Sequence, residues 1–508
     1  MSLSINLVPI DSDPAVAAET RIAKVIEFTK NLGHEDTFLA ASKLLYELKR
    51  LNRYKVDADT RINLLEHYRH IINELTDDLE EVFGNASTPL SEENNNYAAL
   101  AEALWLETGY GYKRALVDLK HKLINFKGSQ QQSLVIYRAI EALKNEARVN
   151  YLTYKAPSES LWSDLHKLYF HALQLSLEAI EVQEKSAFNN KTINLVYIQT
   201  LLMHLANPQR LNKPSIRKLS HYIGGLAKFA QLHGMGYIEN PVGVFMIELD
   251  SKKPPVPYQK NKNSPNVNTD ILLLTVEVAR QIHQQLKYIQ NTQRDNTEQL
   301  PSVGLEIVDE DLLTHLINYF GSTTSRFFPR MEKKQPAELS VGIEAASILF
   351  RSTQRAKDNI ISSWEIMNVS PVGYALKTNE THNLAVTVGD LVTIKESANN
   401  PHVLGCIVWL NTKVDHMEAG IKLISPSAES VFVKSAEGAD LKHALLLPSI
   451  KTLKQPMSII IERDYVSSGG VVNISMSNKA SKLKIKQLIE RSPKFDRYEY
   501  SLIDDDLS

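Results

Sequence analysis

The sequence predicts a multidomain α+β protein. An N-terminal all-α half forms a helical bundle or a stack of helical hairpins, and a strand-rich half follows. Three observations carry this. Through residues 18–250 apolar residues recur three and four positions apart, the period of a helix with one buried face. Beyond residue 330 they alternate instead, in short runs bounded by Gly, Asn, Asp and Ser, as half-buried strands do. Between the two halves, residues 251–268 are rich in proline, lysine and asparagine and read as a linker. A chain of 508 residues has room for more than one core.

In chain order, Phe38, Ala41, Leu45 and Leu48 form one apolar stripe, with Lys43, Glu47, Lys49 and Arg50 off it. Residues 84–96, with Asn85, Ser87, Thr88, Pro89 and a run of asparagines, are a loop. The next helix starts near Tyr97, carries Leu104, Trp105 and Leu106, and is expected to break or kink at Gly109-Tyr110-Gly111-Tyr112. Another covers 131–148. Pro157-Ser158 is a helix start signal, and Leu161, Leu165, Leu168, Ala172 and Leu175 continue it as a stripe. A helix over 192–206 stops at Asn207-Pro208, where proline lacks the amide hydrogen to go on, and a third begins after Pro214-Ser215. Short connections make these antiparallel neighbours. No fixed period marks a repeat array. Trp162, Tyr169 and Phe170 are expected in the core. The helical domain is thus assigned to 1–250, the linker to 251–268 and a connecting α/β segment to 269–321. In that segment 270–290 reads as amphipathic helix, and 304–320 as a strand and a helix.

The strand-rich half is organised around 364–376, read as a strand, a tight polar turn and a second strand. The turn is Asn-x-Ser-x-x-Gly: Asn368, Ser370, Gly373. The amide and hydroxyl supply donors and acceptors, and a glycine lets backbone approach a bound group closely. Upstream, Arg326 and Arg330 are spaced Arg-x-x-x-Arg. Guanidinium forks suit phosphates and the acceptor edge of guanine. Taken singly, such a turn is an ordinary turn and such arginines an ordinary solvated face. In this order, followed by strands at 385–394 (broken at Gly389-Asp390), 403–410 and 419–424, with Leu339, Val341 and Ile343 as the strand between, the segment 322–435 resembles the PilZ domain, the bacterial receptor module for cyclic di-GMP.

That resemblance implies a six-stranded antiparallel barrel that binds cyclic di-GMP through Arg326, Arg330, Asn368, Ser370 and Gly373. The arginines would clamp phosphates and guanine, and their segment would order against the barrel on binding. The interval from Arg330 to Asn368 is long for the pattern. The excess is assigned to 347–363, which holds a second pair, Arg351 and Arg355, as the alternative ligand arginines. Residues 436–508 contain strands at 457–461, 470–475, 482–489 and 497–503, with a turn at 467–470. They either extend the barrel or form a small β-domain on it, and end in an acidic tail.

The rest of the chain points to binding and not catalysis. There is no phosphate-cradling Gly-x-x-x-x-Gly-Lys-Ser/Thr, no Gly-x-Ser-x-Gly and no His-Glu-x-x-His. No zinc ligand set suggests itself, and His382 and His416 read as exposed loop residues, so neither a metal nor a catalytic cofactor is expected. A net charge of −2 argues against a nucleic-acid polymer as partner. One cysteine, Cys406, sits in an apolar strand pattern and is expected buried; no disulfide can form within the chain, which suits a reducing compartment. With no signal peptide and no apolar window long enough to span a bilayer, the expected location is the cytoplasm. The expected function is a cyclic di-GMP effector whose helical half relays the signal to a protein partner controlling motility, type IV pili or biofilm. The alternative is a nucleotide-independent adaptor that binds only protein partners of a pilus or secretion machinery.

Overall fold

The computed structural model describes residues 3–11, 17–119, 126–182, 191–236, 238–259, 265–295, 308–321, 329–351, 360–380, 384–397, 400–435, 440–451, 454–476 and 479–503. The chain divides into two compact units. The first spans 1–325 apart from 87–89 and 209–212; the second takes those two pieces together with 326–508.

Among the described residues the first unit opens with the α-helices α1 (Ile22–Leu32), α2 (Thr37–Arg53), α3 (Ala58–Asn85), α4 (Glu92–Leu119), α5 (Phe126–Leu152), α6 (Glu159–Gln174), α7 (Ile193–Leu205) and α8 (Lys213–Leu226). Side-chain oxygens start several of them. Asp36, Asp57, Ser158 and Thr192 each accept from an amide of the first turn, which no intrahelical carbonyl can satisfy. On α2 the buried stripe is Ala40, Ala41, Leu44, Leu48 and Leu51, so Leu44 and not Leu45 is its centre. The glycines of α4 do not break it. A Cβ on Gly111 would lie 2.8 Å from Leu65 and 2.9 Å from the Asn52 side-chain oxygen, so the glycine serves close packing of α4 on α2 and α3. Trp162 and Tyr169 are buried as expected, Phe170 half-buried.

The unit closes with β1 (Gln231–Gly234), β2 (Val244–Glu248), β3 (Val256–Pro257), β4 (Asp270–Leu274), α9 (Val276–Asp295) and α10 (Glu310–Phe320), the strands ordered β1-β4-β2-β3. Three expectations change here. The stretch up to residue 250 is not helical to its end. Residues 256–257 are not linker: they pair with Met246 and Phe245 at the sheet edge, where proline's missing amide hydrogen costs no ladder bond. Residues 270–274 are strand before helix α9 begins. The strand expected just after residue 304 falls outside the described residues, and the helix after it is α10.

The second unit holds two closed antiparallel barrels. The first comprises β5 (Met331–Val341), β6 (Ser362–Ser370), β7 (Gly373–Thr378), β8 (Leu391–Lys395), β9 (Val403–Thr412) and β10 (Met417–Ser425), ordered β10-β7-β6-β5-β8-β9. The second comprises β11 (Glu429–Ser435), β12 (Lys442–Leu447), β13 (Ser458–Glu462), β14 (Val471–Met476), β15 (Lys479–Arg491) and β16 (Phe495–Ile503), ordered β11-β12-β13-β16-β15-β14. The C-terminal region is therefore a barrel of its own. Its last four strands match the sequence reading; β11 and β12 were not foreseen. Ile343 does not extend β5. Gly342 turns the chain at φ 97°, and Ile343 opens helix α11 (Ile343–Arg351).

Helix α11 and both barrels share one core. Ala346, Leu391, Leu404, Cys406, Ile424, Leu445, Leu447, Ile460 and Phe495 form a single buried cluster. Cys406 acts there as a small hydrophobe, its thiol pushed up to about 12 by burial. Among the described residues no helix is long and apolar enough to cross a membrane.

Candidate ligand-binding site

The Asn-x-Ser-x-x-Gly motif is the closed end of the β6–β7 hairpin. Asn368 and Ser370 lie on β6, Gly373 opens β7, and only Pro371 and Val372 form the turn. Ser370 pairs with Gly373, and its hydroxyl donates to the Gly373 carbonyl at 3.3 Å, which leaves its lone pairs to accept. The tip is tied down: the Leu423 amide donates to the Val372 carbonyl at 2.9 Å. Gly373 is buried, and a Cβ on it would overlap the Ile421 carbonyl oxygen of β10. Close approach of β7 to β10 thus accounts for the glycine.

A bulge decides which way Asn368 points. By strict alternation Ile366 and Asn368 would share a face, and Ile366 is in the barrel interior, 0% exposed. The β6–β7 register slips between them: Ile366 pairs with Leu376, but Asn368 pairs with Ala375. Met367 is the extra residue, and it re-aims Asn368 outward, as bulges do. A matching slip on β5 sets Glu332 opposite Asn368. Continued across the sheet, the pairings make one outward row: Trp409 on β9, Gly420 on β10, Ala375 on β7, Asn368 on β6 and Glu332 on β5. The neighbouring inward row, Leu410, Ala419, Leu376 and Ile366, is fully buried.

This row contains residues that no linear pattern indicated. Trp409 is half-exposed and its indole lies over Gly420, where any Cβ would overlap the ring. The row thus offers a flat aromatic surface at one end and an amide beside a carboxylate at the other. Stacking surfaces of this kind suit a purine base.

The arginines separate by place. Arg330 is exposed and directly precedes β5, whose Met331 pairs with Val369; one step further along that register sets Arg330 beside Ser370. Arg330, Asn368 and Ser370 therefore share one outward corner. Arg326 and Arg355 lie outside the described residues. Arg351 ends α11 with its guanidinium carbon 4.6 Å from the Phe432 ring centroid on β11, a cation–π contact that uses it between the barrels. Lys422, which pairs with Gly373, adds a second cation near the corner and is held by Glu490 at 2.7 Å.

On the opposite, inward side of the same strand ends, Glu396 accepts from Lys333 at 2.7 Å and from the Tyr374 hydroxyl at 2.6 Å. The Lys333 ammonium holds the Glu396 carboxyl below the usual carboxylate range, and burial pushes the Tyr374 hydroxyl up. These bonds tie the start of β5 and the start of β7 to Glu396, just after β8. His416 is bonded to Asp415 at 2.7 Å and to Glu418, and is half-buried; His382 lies outside the described residues. Among the described residues no cluster of His, Cys, Asp and Glu could hold a metal ion.

Three family models match successive parts of the chain between residues 23 and 503. Residues 23–237 match the N-terminal domain of the cyclic-di-GMP receptor FimW, residues 244–350 and 348–430 its middle PilZ domain, and residues 431–503 its C-terminal beta-barrel domain. A curated relative, the cyclic-di-GMP receptor FimW of Pseudomonas aeruginosa, is 22% identical over 544 aligned positions, covering 91% of this chain and 87% of the relative.

Proposed function

We propose that this chain, which belongs to the PilZ-domain family, is a cyclic di-GMP receptor that reads the nucleotide on the outward face of its first barrel. The observation that carries this is the register of β5, β6 and β7, which gathers Arg330, Asn368 and Ser370 at one corner. Arg330 pairs with a phosphate or with guanine N7 and O6. Asn368 and Ser370 bond the base edge, and Trp409 supplies a stacking surface. Arg326, four residues upstream of Arg330, joins the clamp. Gly373 contributes by keeping the hairpin tip flat on β10. The chemistry offered is binding and not turnover. The ordered arginine segment is the switch, and the helical half presents the surface to a protein partner in motility, type IV pili or biofilm control.

The test is a calorimetric titration of the full chain with cyclic di-GMP, followed by Arg330→Ala and Arg326→Ala. Binding at micromolar or lower concentration is expected, with at least a tenfold loss in each variant, since hydrogen bonds to a charged group are worth about 1.5–3 kcal/mol. No binding heat at concentrations above micromolar would reject the reading. A pull-down with the helical half, with and without nucleotide, identifies the partner.

A further inference from the structure

Glu332 has no place in the motif that the resemblance supplied. It is exposed, and its side chain forms no hydrogen bond or ion pair with any described residue. Yet it is the direct cross-strand neighbour of Asn368, on the same outward face. Such neighbours have Cβ atoms about 5 Å apart. An unpaired carboxylate is a poor neighbour for a ligand that carries two phosphate charges, unless what meets it is a hydrogen-bond donor.

Guanine has the donors. Its Watson–Crick edge presents an exocyclic N2 amine, then N1–H, then the O6 acceptor. A carboxylate beside an amide presents two acceptors and then a donor, which is the complement in order. Adenine inverts part of this pattern: its N1 is an acceptor, and it has no amine at C2. The N7 and O6 edge of the base is left to a guanidinium.

We propose that Glu332 sets base specificity, its carboxylate accepting from N1–H and the N2 amine of one guanine while the Asn368 amide donates to O6. This rests on the cyclic di-GMP reading above. Polar groups built for a partner reject the analogue that lacks it far more strongly than apolar pockets do. Glu332 therefore contributes mainly to discrimination and not to general affinity.

The experiment titrates the full chain, Glu332→Ala and Glu332→Gln with three nucleotides: cyclic di-GMP, cyclic di-IMP, which keeps N1–H and lacks the N2 amine, and cyclic di-AMP. The wild type is expected to prefer them in that order. Both variants lose about ten- to a hundredfold for cyclic di-GMP, lose less for cyclic di-IMP, and bind cyclic di-AMP as well as the wild type or better. Thermal melts of the variants should match the wild type, because the side chain is exposed and is tied to no described residue by a hydrogen bond or ion pair. If either variant binds cyclic di-GMP as tightly as the wild type, Glu332 merely borders the site and the inference falls. If the wild type binds none of the three, the parent reading falls with it, and the two failures are told apart by the wild-type titration alone.

Discussion

Gly373→Ala separates two explanations of the motif glycine. If the glycine provides clearance for the ligand, alanine should weaken binding and leave the fold alone. The structure argues the reverse. An added Cβ would overlap the Ile421 carbonyl oxygen, with the Ile421 carbonyl carbon at 3.1 Å and Lys422 Cα at 3.4 Å. All three are backbone atoms of β10, so no rotamer change relieves the clash. The strands must part by on the order of an ångström, which strains the β7–β10 ladder and the Leu423–Val372 bond. Overpacking of this kind costs about 1–3 kcal/mol, and opposition from backbone places it at the upper end. For a unit of this size about 3 kcal/mol corresponds to a fall of roughly 6–12 °C in melting temperature. The assay pairs a calorimetric melt with a cyclic di-GMP titration at a temperature where both proteins are folded. The melt should fall by that amount, with affinity held within about threefold. A melt unchanged within about 2 °C, together with an affinity loss beyond about thirtyfold, would refute the packing argument and restore clearance as the glycine's role.

Three further outcomes follow from the same geometry. Trp409→Ala should weaken cyclic di-GMP by about 1–3 kcal/mol, the usual value of one base–aromatic stack; unchanged affinity in a calorimetric titration would remove the indole from the site. Arg351→Ala should leave binding untouched and lower the melt by only a few degrees, since an exposed cation–π contact is worth about 0.5–1 kcal/mol; abolished binding would transfer the ligand role to the Arg351 and Arg355 pair. Asp390 is buried, and desolvation raises its carboxyl to about 6 while the Thr387 amide donates to it at 2.7 Å. Its folded pKa exceeds the unfolded value, so the folded state binds the extra proton and loses stability as pH rises from about 4 through 6. Asp390→Asn should therefore melt higher relative to wild type at pH 7.5 than at pH 5, and an equal difference at both would show that the carboxyl is not perturbed.

What was legible in the sequence was local. Ser158 and Thr192 announce the starts of α6 and α7 because a cap bonds within its own turn. The two-residue turn at Pro371-Val372 and the arginine before β5 are likewise short-range signals. The errors fall where a distant neighbour overrides a local preference. Gly111 looks like a helix breaker until Leu65 and Asn52, far away in sequence, are packed against it. Val256-Pro257 looks like linker until β2 is beside it. Period-two alternation puts Asn368 on the inner face with Ile366, and only the bulge at Met367 reverses that. The row from Trp409 to Glu332 joins residues from five strands whose order along the chain says nothing of their register. Its one faint sequence sign was Gly420 within an apolar strand, a mark of close approach.

The shared core constrains how a bound nucleotide could be felt elsewhere. Helix α11 lies in contact with both barrels. Its Ser347 bonds Ser430 of β11 at 2.6 Å and His443 of β12 at 3.1 Å, and Arg351 covers Phe432. Beneath these polar ties runs the apolar cluster from Leu391 and Leu404 to Leu445 and Phe495. Parting the barrels would expose that cluster, and each fully buried leucine alone is worth about 1.5–3 kcal/mol. A ligand shifts an equilibrium only by its differential affinity for the two states. The candidate site touches neither the cluster nor α11, and its tie across the joint is Lys422, whose ammonium is held by Glu490 of the second barrel at 2.7 Å. The element it does touch is the start of β5, and the chain before Arg330 leads by covalent continuity to α10 and the helical half. Residues 87–89 and 209–212 of the helical stretch also belong to the barrel unit, so the start of β5 is one of several places where the chain passes between the two units.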